Sequence, residues 1–136
     1  MIDGARFDHA GIVVPSIAEA LPFYRDTLGL LAGHAHHLPD MGVDVQFVGE
    51  GSARVELLQP LDETSGVARF LQERGRASLH HLAFAVDDLA KALRDLAAAG
   101  YELIDQQPRH GAEGSVGFLH PRAAGGVLIE LIQRRY

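Results

Sequence analysis

The sequence predicts an α+β fold of two paired βαβββ modules whose strands form one curved mixed sheet around a cleft. Three observations carry that expectation. Residues Phe7–Val14 and Leu79–Val86 follow the same pattern and set His9 on His81, an offset of 81 − 9 = 72 that also carries Ile17 onto Leu89, Ala18 onto Ala90, Ala20 onto Ala92 and Leu21 onto Leu93. Val55–Gln59 likewise matches Ile129–Gln133, setting Glu56 on Glu130 (130 − 56 = 74). In both halves the apolar period switches from two to 3.6 and back, the signature of a strand, a helix and further strands.

The elements follow in order. Residues 6–14 alternate as a strand, and Ser16 opens a helix with Glu19 three residues on as a capping box. Ile17, Ala20, Leu21, Tyr24 and Leu28 make its apolar stripe, and Gly29 lies just past its end. Leu30–Leu38 is a weaker strand. Val43–Val48 is a stronger one, followed by a hairpin turn at Gly49-Glu50-Gly51 and a strand over Ala53–Leu58 that stops before Pro60. A short helix over Ser65–Arg74 presents Val67, Phe70 and Leu71, with Gly75 as its stop. The second half repeats the order: a strand at Leu79–Val86, then a helix at Asp88–Ala99 with Leu89, Ala92, Leu93 and Leu96 inward and Gly100 at C′. Strands at Tyr101–Ile104, Ser115–Leu119 and Val127–Gln133 complete it, separated by a loop over residues 108–114 and a turn over residues 123–126. The whole is one domain over residues 1–136, with module one over about 5–61, a linking helix over about 64–75 and module two over about 78–134.

Composition narrows the function. The chain has 47% hydrophobic and 22% charged residues, as an ordinary globular protein does. It has no apolar run of the roughly 18–20 residues a membrane span needs, and no signal peptide is visible at its start. Its net charge of −6 argues against a nucleic-acid surface. The absence of cysteine removes disulfides and thiolate ligands and fits a cytoplasmic setting. Eight histidines in 136 residues direct attention to metal chemistry.

Strand alternation converts the repeat into faces. Ala10, Ile12 and Val14 belong under the first helix, which leaves His9 looking to the opposite face; His81 follows by the repeat, and His80, like Asp8, turns away. Glu130 shares a face with Leu128 and Ile132, where an ionised carboxylate is costly unless paired or bound to metal. Any one of these four residues, taken alone, is more often structural: a hydrogen-bonded strand histidine, or a glutamate paired with arginine. Four ligand-type residues at repeat-equivalent positions reverse that balance. His9, Glu56, His81 and Glu130 offer imidazole nitrogen and carboxylate oxygen, which suit Zn²⁺, Mn²⁺, Co²⁺, Ni²⁺ or Fe²⁺. Of the other histidines, His34, His36 and His37 read as a solvated edge or loop, His120 as a cap at a strand end, and His110 as part of a loop able to close over a ligand.

The paired modules with this His/Glu pattern resemble the vicinal oxygen chelate (glyoxalase-like) superfamily. Within it the likeness is to the methylmalonyl-CoA epimerase family and spans nearly the whole chain. It is carried by Asp8-His9, Val55–Leu61, Leu79–Phe84, Val86-Asp87-Asp88, Pro108–Gly111, Phe118–Pro121 and Gly125–Leu131 in that order. The resemblance implies metal ligands at His9, His81 and Glu130, with Glu56 as the fourth, where some epimerases carry Gln. Some members hold a second catalytic glutamate on the third strand; the matching position here is about Val45, and Asp44 and Gln46 face the other way, so the second acid/base stays open.

The implied reaction interconverts (R)- and (S)-methylmalonyl-CoA through an enolate, with an acyl-CoA thioester as substrate and a homodimer as the assembly. Inversion requires a base on one face of the α-carbon and a proton donor on the other. Glu130 is the base in this reading; Glu56 or a metal-bound water is the acid. Arg109 and Arg122, with His110, flank the cleft loops and are candidates for holding the CoA portion. Three alternatives remain: a glyoxalase-type isomerase resembling lactoylglutathione lyase, a metal-free small-molecule binding or resistance protein, and an iron dioxygenase using two His and one Glu.

Overall fold

The computed structural model describes residues 2–134 and builds an α+β fold of eight strands and three α-helices among them. In the first half β1 (Arg6–Val13), α1 (Ile17–Pro22), β2 (Ala32–Leu38), β3 (Val43–Val48) and β4 (Arg54–Pro60) give the strand order β2-β3-β4-β1. After α2 (Gly66–Arg74) the second half has β5 (Ser78–Ala85), α3 (Leu89–Ala98), β6 (Arg109–His110), β7 (Gly114–Leu119) and β8 (Ile129–Arg134), in the order β5-β8-β7-β6. In both halves the first and last strands pair in parallel, β1 with β4 and β5 with β8, and the remaining pairs are antiparallel. No helix among the described residues is long and apolar enough to cross a membrane.

The chain clusters into two compact units, residues 9–80 and residues 1–8 with 81–136. The division cuts inside β1 and β5. The opening residues of β1 belong to the second unit, where Phe7 meets Phe84 edge-on at 5.7 Å and Asp8 accepts a 2.9 Å bond from Arg134. The opening residues of β5 belong to the first, where the His80 ring lies 4.9 Å from Phe70. Asp8 and His80 are thus both turned away from the candidate ligands, as alternation requires.

Each half fastens the start of its helix with the same device. The Gln59 side-chain oxygen accepts from the Ile17 amide at 2.8 Å, and Gln133 does the same for Leu89 at 2.9 Å. Ser16, Ser65 and Asp88 cap their helices by accepting from the amide three residues on. Helix α3 buries Leu89, Ala92, Leu93 and Leu96 against Leu119, Leu131 and Val86, with Phe84 and Ile129 alongside. On the other face of β5 and β8, Ala85 and Ile132 pack with Val116, Phe118 and Leu128. The face assignment made from alternation therefore holds in the second half.

Several elements differ from the sequence expectation. Helix α1 half-buries Ile17, Ala20 and Leu21 of its expected stripe, but past Pro22 it widens into a π-helical turn over Phe23–Thr27, where Leu28 donates to Phe23. Proline has no amide hydrogen for the helical ladder, so the regular stripe ends there. The fourth strand includes Pro60, opposite Val43, rather than stopping before it. Tyr101–Ile104 shortens to a single bridge of Leu103 to Leu119, flanked by bonds from the Ile104 amide to the Phe118 carbonyl and from the His120 amide to the Glu102 carbonyl, and β7 is also paired by Arg109 and His110, within the expected loop. The turn near residue 124 is a 3₁₀ helix, Pro121–Ala124, ended by Gly125 in the left-handed conformation. The hairpin turn after β3 is as expected: Gly49 has φ of 95°, and a Cβ there would stand 2.3 Å from the Ala53 carbonyl oxygen.

Candidate metal centre

The site is built from the same three-residue arrangement in each unit. In the first, strand register sets Glu56 opposite both Gly11 and Phe47, and His9 stands two residues before Gly11 on the same face of β1. His9 Nε2 lies 3.3 Å from Glu56 Oε1, and the His9 ring meets Phe47 edge-on at 5.4 Å. In the second, Glu130 lies opposite Ala83 and Phe118, with His81 two residues before Ala83. His81 Nε2 lies 3.6 Å from Glu130 Oε1, and its ring meets Phe118 at 5.7 Å. All four ligand-type residues are buried.

These distances fit metal coordination. Two donors bound at about 2.0–2.2 Å to one ion, at right to tetrahedral angles, stand about 2.8–3.6 Å apart. Both imidazole–carboxylate pairs lie in that window, and the longer exceeds ordinary hydrogen-bond length. A buried carboxylate is favoured beside positive charge, and a divalent cation bound between imidazole and carboxylate would supply it.

Phe47 and Phe118 were not singled out from the sequence, although 118 − 47 = 71 places them in the same internal repeat. Each also carries an arginine: the Arg54 guanidinium lies 4.7 Å from the Phe47 ring centre, and that of Arg109 lies 5.7 Å from Phe118. Arg109 is further held by Asp105 at 2.9 Å, whose other oxygen accepts from the Phe118 amide at 2.8 Å.

The remaining candidates are more exposed. His110 is exposed in β6, opposite Ser115. Arg122 makes a two-point contact with Glu102, at 2.8 and 3.3 Å, and that bond holds the Glu102 carboxyl below its ordinary value. His120 accepts from the Arg122 amide at 3.1 Å and so caps the 3₁₀ turn that follows β7. Asp44 pairs with the exposed His37, Gln46 donates to the Gly33 and Phe47 carbonyls, and Val45 between them is buried. His36 departs from the solvated edge expected of it: it is half-buried and its ring lies 6.3 Å from Phe47.

Comparison with known proteins agrees with this architecture. The profile of the glyoxalase/bleomycin resistance protein/dioxygenase superfamily matches residues 8–118. The chain is 40% identical over 129 residues to the mitochondrial methylmalonyl-CoA epimerase of Homo sapiens, covering 94% of this chain and 73% of that one. The crystal structure of methylmalonyl-CoA epimerase from Mycobacterium tuberculosis superposes with a TM-score of 0.90 at 35% identity, over 96% of this chain and 89% of the other. That of the Streptomyces coelicolor epimerase S115T variant, in complex with 2-nitronate-propionyl-CoA, gives 0.89 at 31% identity, over 95% and 94%. With the profile covering most of its length and these identities along nearly all of it, the chain belongs to the glyoxalase/bleomycin resistance protein/dioxygenase superfamily.

Proposed function

We propose that this protein is a methylmalonyl-CoA epimerase that interconverts the (R) and (S) thioesters by removing and returning the α-proton, with one divalent ion held by His9, Glu56, His81 and Glu130. The observation that carries the reading is the buried imidazole–carboxylate pair that recurs in each half, in a chain whose relatives bear that name. Each unit offers one buried pair of donors, His9 with Glu56 and His81 with Glu130. The donor types suit Co²⁺, Mn²⁺, Zn²⁺, Ni²⁺ or Fe²⁺. Such an ion, when bound, supplies Lewis-acid stabilisation of the negative charge that develops on the substrate oxygens.

The chain's own groups do the rest. The α-carbon lies between a thioester and a carboxylate, so its proton leaves as an enolate forms. Glu130 accepts that proton; its side chain is buried beside Phe118 and His81, where few waters compete for it. Glu56 holds His9 at 3.3 Å and, as the glutamate of the first half, is the counterpart of Glu130. Phe47 and Phe118 fix the planes of the two imidazoles. Arg109, Arg122 and His110, all on the surface of the second half, serve the CoA portion; Arg122 in particular presents an exposed guanidinium suited to a phosphate.

One feature supports a second reading, a glyoxalase-type isomerase: the fourth ligand is glutamate at position 56. Both readings predict metal-dependent proton transfer and differ in substrate. The test is solvent-deuterium incorporation at the α-carbon of methylmalonyl-CoA, with and without added Co²⁺ or Mn²⁺, beside turnover of methylglyoxal with a thiol. Exchange and inversion of the thioester support the epimerase; turnover of the thiol adduct alone replaces it with the isomerase.

A further inference from the structure

We propose that His36 is the second proton-transfer residue of the reaction, a catalytic residue acting on the α-carbon from the first half of the chain. The inference rests on the epimerase reading above. His36 lies on β2 directly opposite Val45 of β3, and residues opposite one another on antiparallel strands point to the same face. Val45 shares its face with Phe47, Phe47 is opposite Glu56, and Glu56 is opposite Gly11, two residues from His9. His36, Phe47, Glu56 and His9 therefore line one face of the first half. The rings agree with the register, since Phe47 receives His9 at 5.4 Å and His36 at 6.3 Å. His36 Nε2 is buried and makes no hydrogen bond among the described residues.

Of the other polar groups on this face, Glu56 and His9 are engaged with each other at 3.3 Å as the proposed ion ligands of the first half. Val45 has no proton to exchange, and Asp44 and Gln46 lie on the opposite face, engaged with His37 and with backbone carbonyls. Arg54 on Phe47 stays charged at any working pH. His34 is exposed. In the second half the place of His36 is taken by Arg109, which pairs with Val116 as His36 pairs with Val45 and is held by Asp105. The two halves thus differ where inversion needs them to differ, and at this place the first half carries an imidazole, a group that serves as acid or base in catalysis.

The step balances. Glu130 carboxylate takes the α-hydrogen of one epimer, the C–H electron pair passes into the enolate, and the His36 imidazolium gives its Nε2 proton to the other side of the α-carbon. Glu130 is then protonated and His36 neutral, ready for the reverse epimer or reset by exchange with solvent.

The experiment uses the purified protein with Co²⁺ and each pure epimer of methylmalonyl-CoA in D₂O. His36→Gln and His36→Leu are compared with wild type, the leucine giving the position an apolar residue like Val45 so that folding does not hinge on a polar partner. In both variants interconversion should fall on the order of 10²–10⁴-fold, the worth of one acid/base group, while the epimer served by Glu130 still takes up deuterium with its configuration retained. Interconversion near the wild-type rate overturns the assignment, as does an equal loss of exchange from both epimers, which marks a structural role. If wild type itself neither exchanges nor inverts either epimer, the epimerase reading fails and this proposal with it.

Discussion

The ring of Phe47 meets the His9 imidazole edge-on, 5.4 Å between centres and 89° between planes. Phe118 repeats the contact with His81 at 5.7 Å and 88°. A perpendicular ring packed against the imidazole restricts its rotation, so its Nε2 is directed at the neighbouring carboxylate before any ion arrives. Phe47→Ala should therefore cost about 3–5 kcal/mol of stability and weaken metal binding together. Urea unfolding and metal titration check this; a loss below about 1 kcal/mol would mean that the site collapses around the cavity.

His81→Ala should abolish metal binding and activity with the fold largely retained, because the residue is one donor beside a core that packs without it. Metal content and circular dichroism of the purified variant give the answer. Full metal occupancy with full turnover would make His81 a structural residue.

Glu130→Gln keeps size and an oxygen donor but cannot accept a proton. Epimerisation should drop by at least ~10²-fold with metal retained, if more weakly. Glu56→Gln should be milder, since its partner His9 can still be met by an amide. Reversed severities would move the base to the first half.

Glu102 is held below its ordinary value by the hydrogen bond from Arg122. A carboxyl depressed in the folded state contributes stability above its unfolded value, about 4.3, and loses it as pH falls through the lower folded value. Both partners are solvent-exposed, so the effect is small and screened by salt. Arg122→Gln should lower the melting temperature slightly at neutral pH, and the gap to wild type should close in acid. A gap that widens in acid contradicts the sign. The same variant should raise KM for the CoA ester; unchanged KM removes Arg122 from the substrate contacts.

A homodimer is expected. Exposed Phe23, Leu28 and Leu31 follow helix α1, and Phe7 and Leu79 are exposed at the starts of β1 and β5. Sedimentation at micromolar protein should give twice the 14.7 kDa chain mass. A clean monomer refutes it.

The repeat, the four ligand-type residues, the inner stripe of α3 and the Ser16 cap are legible in the chain alone. These are local properties: alternation, a 3.6-residue period and a cap at fixed spacing are written in neighbouring residues. Tertiary structure decided what local pattern does not encode. The edge of β7 is shared: Leu103 bridges Leu119 at one end, and Arg109 and His110, expected as loop, pair with Val116 and Ser115 further along. The stripe of α1 is half-buried at Ile17, Ala20, Leu21 and Tyr24, but the chain carries it past Pro22 in a π-helical turn that its 3.6-residue period did not announce. His36 looked like one of three solvated histidines until its pairing with Val45 set it beside Phe47. Phe47 and Phe118 acquired their place at the site only when sheet register brought each one opposite a glutamate, since side-chain contact across strands depends on pairing and not on proximity along the chain.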